Sequence, residues 1–79
     1  MTRDELDRLL RALARQRPFR QYWIEFFSGE RLTAIHPEAV GPREGYFVFI
    51  GPDREYQFFG ASAVCRVLVP LSLDRTSPR

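Results

Sequence analysis

Arginine is the residue through which this 79-residue chain could most readily do chemistry. All twelve basic residues are Arg, and six of them fall within residues 1–20 against three acidic residues, a local balance of +3. Residues 21–69 carry four Arg against six acids, a balance of −2. Such asymmetry favours a helix that contacts nucleic-acid phosphates. The candidate nucleic-acid-binding residues are Arg8, Arg11, Arg15, Arg17, Arg20 and Trp23.

A different interpretation of the same arginines stays open. The pairs Asp4–Arg8 and Asp7–Arg11 are spaced i,i+4, which is typical of a solvated helix face stabilised by local ion pairs. Trp23 and Phe27 also allow two interpretations, because both fall on the side of their strand opposite Tyr22 and Ile24. They lie either beneath the helix or on the surface, where exposed aromatic rings could stack on single-stranded RNA or bind a protein.

No set of residues indicates catalysis. His36 is the single histidine, and neither a nucleophile in a recognisable frame nor a third metal ligand accompanies it and Glu38. Cys65 lies between apolar residues, which predicts a buried and unreactive thiol. We therefore expect a protein that is not an enzyme and that uses no metal and no cofactor. A His-Pro turn is the expected role of His36.

Length and composition predict one small cytoplasmic domain. The chain has 14% aromatic residues, enough to build a compact core from few side chains. No apolar stretch reaches the roughly 18–20 residues of a membrane span, and the polar, acidic beginning of the sequence is unlike a signal peptide. Self-association would stabilise a domain of this size.

The elements that position these residues are one helix and five strands. Thr2 and Glu5 form a capping-box pattern, and Pro18 ends the helical pattern, so a helix is predicted over 2–16. Its apolar stripe packs on the sheet or in a partner's groove; the stripe comprises Leu6, Leu9, Leu10 and Leu13. Strands are predicted at about 21–27, 30–35, 46–50, 55–59 and 64–69, with a turn over 41–45 and a flexible tail over 71–79.

The predicted order, a helix followed by five short bent strands, resembles the Sm-like family, and within it the bacterial Hfq type. Residues 24–29 (IEFFSG) resemble the first family motif, and Ala34 stands where a second small residue is common. Residues 63–67 (AVCRV), followed by Val69 and Pro70, resemble the second motif. The resemblance implies a mainly β domain over 1–70, a strongly bent five-stranded SH3-like barrel.

The resemblance also implies a homo-oligomeric ring in which the fourth predicted strand of one copy pairs with the fifth of the next. The candidate interface residues are Tyr56, Phe58, Val64, Arg66 and Val67. One departure is important: where the Hfq type carries a Lys-His pair that contacts RNA, this chain has Ala61 and Ser62. The uridine-binding function of that pair is therefore not expected here.

A second resemblance is to a group of small uncharacterised bacterial proteins. It rests on Arg17-Pro18-Phe19, the turn at 28–31 and His36-Pro37-Glu38, and it implies no activity. The sequence thus predicts a non-enzymatic binding or assembly module that uses the Arg-rich helix to bind single-stranded RNA. The alternative is an adaptor that binds a larger protein partner and no nucleic acid. Neither interpretation involves a membrane.

Overall fold

A computed structural model of the chain describes residues 1–70. The predicted tail over 71–79 lies outside the described residues. In chain order the elements are α1 Arg3–Ala14, β1 Tyr22–Phe26, β2 Arg31–Ala34, β3 Val40–Arg43, β4 Tyr46–Ile50, β5 Tyr56–Phe59, the 3₁₀ turn η1 Ala61–Ala63, and β6 Val64–Leu68.

The predicted fold class, an N-terminal helix followed by antiparallel strands, is confirmed, but the number of strands is wrong. Six strands form two three-stranded sheets, ordered β2-β1-β6 and β3-β4-β5, which we call the first and second sheets. The additional strand is β3, which occupies most of the predicted turn over 41–45. Pro42 is compatible with a strand there because β3 is the edge of its sheet, where a missing N–H breaks no ladder.

The two sheets do not close into a barrel within residues 1–70. β2 pairs only with β1, and β5 pairs only with β4, so no ladder joins one sheet to the other. The chain passes between the sheets twice, once through the segment that follows β2 and once through η1. The bent five-stranded barrel of the Sm-like prediction is therefore not confirmed.

The capping box that the sequence predicts for α1 is present. The Thr2 hydroxyl accepts a hydrogen bond from the Glu5 backbone N–H at 3.1 Å, and the Thr2 N–H donates to Glu5 Oε1 at 3.0 Å. These bonds satisfy two of the backbone groups that a helix end leaves without a partner. They also hold the pKa of the Glu5 carboxyl below its ordinary value, the backbone bond being the larger cause. The helix ends at Ala14, two residues before the predicted end.

The apolar stripe of α1 packs against this chain's own sheets and not in a partner's groove. Leu6, Leu10 and Leu13 are buried in one cluster with the inward side chains of both sheets, and Leu9 packs at its border. Alternate residues along β1 and β2 face inward and are all buried: Tyr22, Ile24, Phe26, Leu32 and Ala34. The second sheet contributes Val40, Phe47 and Phe49 to the same core.

The turn that joins β1 to β2 depends on Gly29. Its φ of +95° lies in the left-handed region, which only glycine adopts without strain. The Gly29 N–H donates to the Phe26 carbonyl at 2.9 Å, and the Phe26 N–H donates to the Glu30 carbonyl at 2.9 Å. These bonds set the register in which Tyr22 faces Ala34 and Glu25 faces Arg31.

A β-bulge in β6 reverses the prediction for Cys65. Val64 pairs with Phe26 and Arg66 pairs with Glu25, so Cys65 is the extra residue between two successive pairs. A bulge shifts the alternation of side chains between the two faces of a strand. Val64 consequently lies in the core, whereas Cys65 is exposed. The prediction of a buried thiol is wrong because apolar neighbours in sequence do not make Cys65 buried when a bulge separates it from the inward-facing Val64.

Candidate binding surfaces

The outer face of the second sheet carries exposed aromatic side chains. Register places Phe58 opposite Val48, and the rings of Tyr46 and Phe58 meet edge to face with centroids 5.5 Å apart. Phe58 is 62% exposed, Tyr56 60% and Tyr46 41%. Since three large aromatic side chains of one small sheet remain in contact with water, this face has the character of an interaction surface. We call Tyr46, Tyr56 and Phe58 the aromatic patch.

Two strand edges adjoin this region. β5 is the last strand of the second sheet and β6 is the last strand of the first, and only Gly60 and the three residues of η1 separate the two strands in sequence. Each edge presents backbone N–H and C=O groups that no ladder within residues 1–70 pairs. The chain therefore carries two edges, close together in sequence, to which another strand could pair.

The structure separates the five residues that the sequence assigns to an oligomer interface. Tyr56 and Phe58 belong to the aromatic patch. Val64 is fully buried, and Val67 packs against the core, so neither side chain is presented to a partner. Arg66 is exposed on the outer face of the first sheet, where it binds Glu25. Of the predicted set, only the two β5 aromatics form a continuous exposed surface.

Charged residues form a row across the outer face of the first sheet. Glu25 on β1 accepts a hydrogen bond from Arg66 Nε on β6, and its Oε2 lies 3.8 Å from Arg31 on β2. The bond from Arg66 is the main cause that holds the pKa of the Glu25 carboxyl below its ordinary value. One carboxylate thus links all three strands, which gives Arg66 a role within its own chain.

The arginines of the N-terminal region are spread along α1 and the segment after it. Arg11 donates to Asp7 Oδ2 at 3.0 Å, which is one of the two local pairs that the alternative interpretation predicts; the other, Asp4–Arg8, is not formed within residues 1–70. Arg8, Arg15 and Arg17 are exposed, and within residues 1–70 they form no ion pair. Arg20 is exposed as well. The N-terminal region therefore presents a cationic surface, but the Asp7 carboxylate offsets the charge of Arg11.

Trp23 and Phe27, for which the sequence allows two positions, differ in exposure. Phe27 is 71% exposed, so the helix does not cover it. Trp23 is half-buried on the outer face of β1, in register with Thr33 and Leu68. The apolar side of α1 packs into the core, on the face of the sheet opposite Trp23. The two aromatic rings therefore do not form one stacking platform with the arginines of α1.

A groove that the sequence did not indicate lies where the two sheets approach each other. Its walls are the β1–β2 turn, β5 and η1, and its volume is about 330 Å³. Phe27 and Phe58 line it, together with Glu30, Gln57, Ser28 and Ser62. Gln57 Nε2 donates to Glu30 Oε2 at 3.0 Å across the gap between the sheets. We call this the Phe27–Phe58 groove.

No metal-ligand cluster accompanies these surfaces in the described residues. Across residues 1–70, no three His, Cys, Asp or Glu side chains are grouped so that they could hold a metal ion. His36 lies in a turn, where its carbonyl accepts a hydrogen bond from the Ala39 N–H at 3.1 Å. Over the same residues, α1 is the one α-helix, and its twelve residues are too few to cross a bilayer.

Comparison with known proteins finds no match: no family model, no curated protein and no solved structure is similar to this chain.

Proposed function

We propose that this chain is a non-enzymatic binding and assembly module, an Sm-like domain that associates with copies of itself through β5 and β6. The observation that carries the proposal is that β5 and β6 each have an edge that no ladder within residues 1–70 pairs, and that β5 also carries Tyr56 and Phe58 of the aromatic patch. Pairing β5 of one copy with β6 of the next would satisfy the backbone groups of both edges. Such head-to-tail pairing closes into a ring where its rotation permits.

The aromatic patch would supply the affinity that backbone pairing alone lacks. Burying an exposed Phe or Tyr contributes about 1.5–3 kcal/mol, and two such residues stand on β5. A domain of 79 residues also buries a modest fraction of its unfolded surface, so association would add to its stability.

The assembly proposal predicts a large effect of Phe58→Glu. A carboxylate on the outer face of β5 would have to be desolvated in the interface, so we expect the variant to be monomeric at concentrations where the original protein is oligomeric. The measurement is mass by light scattering and sedimentation velocity at several concentrations. Ile35→Glu is the matched control, since Ile35 is also more than half exposed but lies outside the aromatic patch and outside β5 and β6.

The two outcomes separate the interpretations. Loss of association in Phe58→Glu alone, with an unchanged circular dichroism spectrum in both variants, supports the proposal. A protein that is monomeric at every concentration contradicts self-association and leaves the adaptor interpretation, in which the aromatic patch binds a different protein. Tyr56→Ser provides a second, milder variant of the same surface.

A second candidate function is binding of single-stranded RNA, and the observation that favours it is the exposure of Arg8, Arg15 and Arg17 without ion pairs in residues 1–70. Each phosphate contact releases counterions, so the affinity should fall steeply with salt. We expect the triple change of these residues to Gln to lower the affinity for an unstructured oligoribonucleotide by at least about tenfold at low salt.

The control is a second triple variant with the same loss of charge, in which Arg31, Arg43 and Arg54 become Gln. Fluorescence anisotropy at two salt concentrations measures both. Equal affinity of the two variants would contradict a site on the N-terminal arginines, and the absence of binding by the original chain would contradict the RNA function altogether.

A further inference from the structure

The Phe27–Phe58 groove combines aromatic walls with one ionisable group. Phe27 extends from the β1–β2 turn and Phe58 from β5, and both rings are more than half exposed. Beneath them, Phe26 and Phe59 meet edge to face with centroids 5.1 Å apart and fix the floor. Glu30 is the one charged side chain among the residues that line the groove.

Hydrogen bonds hold the acidic side of the groove in place. The Glu30 N–H donates to the Ser28 hydroxyl at 3.3 Å, and Gln57 Nε2 donates to Glu30 Oε2 at 3.0 Å. A carboxylate has two oxygens and about four lone-pair sites, so the bond from Gln57 leaves acceptor capacity for a ligand. The Phe27 N–H, which donates to the Ala63 carbonyl at 3.0 Å, ties the turn to η1 and fixes the groove's width.

This combination selects a cation, and in particular a planar one. Aromatic faces attract cations, and Arg forms this contact more often than Lys. A guanidinium group can lie with its face on a ring while its in-plane N–H groups donate to a carboxylate, which an ammonium group cannot do. The volume of about 330 Å³ lies at the lower end of the range for ligand pockets, roughly 300–1,000 Å³, and suits one long side chain.

We propose that the Phe27–Phe58 groove binds an arginine side chain presented by a polypeptide partner. The guanidinium lies against the Phe27 and Phe58 rings and donates to Glu30, while the hydroxyls of Ser28 and Ser62 are available to the partner's backbone. The groove carries a carboxylate although the net charge of the chain is +2, so binding of a cation there would reflect this local charge and not the net charge. The groove shares Phe58 and β5 with the proposed self-association surface, so this inference is tested at Phe27 and Glu30, which belong to the groove and lie outside the aromatic patch.

The test is a titration of the ¹⁵N-labelled full chain with the capped tripeptide Gly-Arg-Gly, observed through backbone amide shifts. We expect saturable shifts at Ser28, Glu30, Gln57 and Ser62, and weaker binding of Gly-Lys-Gly. Glu30→Gln should lower the affinity for the arginine peptide by about fivefold, which is the effect expected for a partly exposed charge-assisted hydrogen bond. Glu44→Gln is the matched control, since Glu44 is also exposed and lies outside the groove.

Phe27→Leu keeps an apolar side chain but removes the ring, so it tests the cation–π contact separately from the charge. Reduced affinity in both Phe27→Leu and Glu30→Gln, with unchanged mass in solution, supports the proposal. Three results overturn it: no shifts at the groove, equal affinity for the Arg, Lys and Gln tripeptides, or equal affinity of Glu30→Gln and Glu44→Gln.

Discussion

Phe47→Ala is expected to lower the free energy of unfolding by about 3–5 kcal/mol, the usual cost of truncating a buried Phe. Phe47 is 1% exposed, and its ring stacks on Phe59 with centroids 5.8 Å apart. The substitution removes this contact and leaves a cavity between β4 and the helix side of the core. For a domain whose total stability is typically about 5–15 kcal/mol, a loss of this size removes a large share of that stability.

Urea denaturation followed by far-ultraviolet circular dichroism measures this effect, and Phe27→Ala is its matched control. Phe27 is 71% exposed, so its truncation should change the free energy of unfolding by less than about 0.5 kcal/mol. Similar losses in the two variants would contradict the assignment of Phe47 to the core. Both variants make the same substitution, so a large difference between them reports the burial of Phe47.

A second large effect is expected from alkaline pH, through Tyr22. Burial raises the pKa of the Tyr22 hydroxyl from 10.0 to about 12. Above pH 10 the Tyr22 hydroxyl loses its proton in the unfolded state but keeps it in the folded state. The contribution of this hydroxyl to the free energy of unfolding is therefore fully present below pH 10 and is lost as the pH rises through 12. A difference of two pKa units corresponds to about 3 kcal/mol.

Tyr22→Phe removes the titrating group and retains the buried ring. We expect the free energy of unfolding to fall between pH 10 and pH 12 in the original chain, and to fall by about 3 kcal/mol less in Tyr22→Phe. Tyr46→Phe, at an exposed position, should keep the original pH dependence. If Tyr22→Phe and Tyr46→Phe lose stability equally over this range, Tyr22 does not titrate as a buried group.

Local signals in the sequence predicted the helix and the first hairpin. Thr2 and Glu5 specify the start of α1 through bonds three residues apart, and the alternation of Tyr22, Ile24 and Phe26 specifies the buried face of β1. Both features depend on neighbours in sequence. They required no knowledge of how the chain turns back on itself.

The errors arose where the environment depends on distant residues. Glycine and proline are typical of turns, so the sequence predicts a turn at Gly41 and Pro42. It gives no indication that these residues pair with β4. The sequence predicts a buried Cys65 because the bulge depends on the pairing of β6 with β1, which the residues of β6 alone do not indicate. The Phe27–Phe58 groove depends on the approach of Glu30 to Gln57, 27 residues apart, which no periodicity encodes.

Pro42 has a further consequence for how this molecule resists uncontrolled aggregation. Each of the two sheets has two outer strands, and an unpaired strand invites pairing with any extended chain. On β3, Pro42 lacks an N–H group and Arg43 adds a charge, while β2 is only four residues long and begins with Arg31. These are the features by which natural proteins protect exposed strands. β5 carries neither a proline nor a charged residue, so among the outer strands of residues 1–70 its edge is the one that proline and charge leave open to pairing with an extended chain.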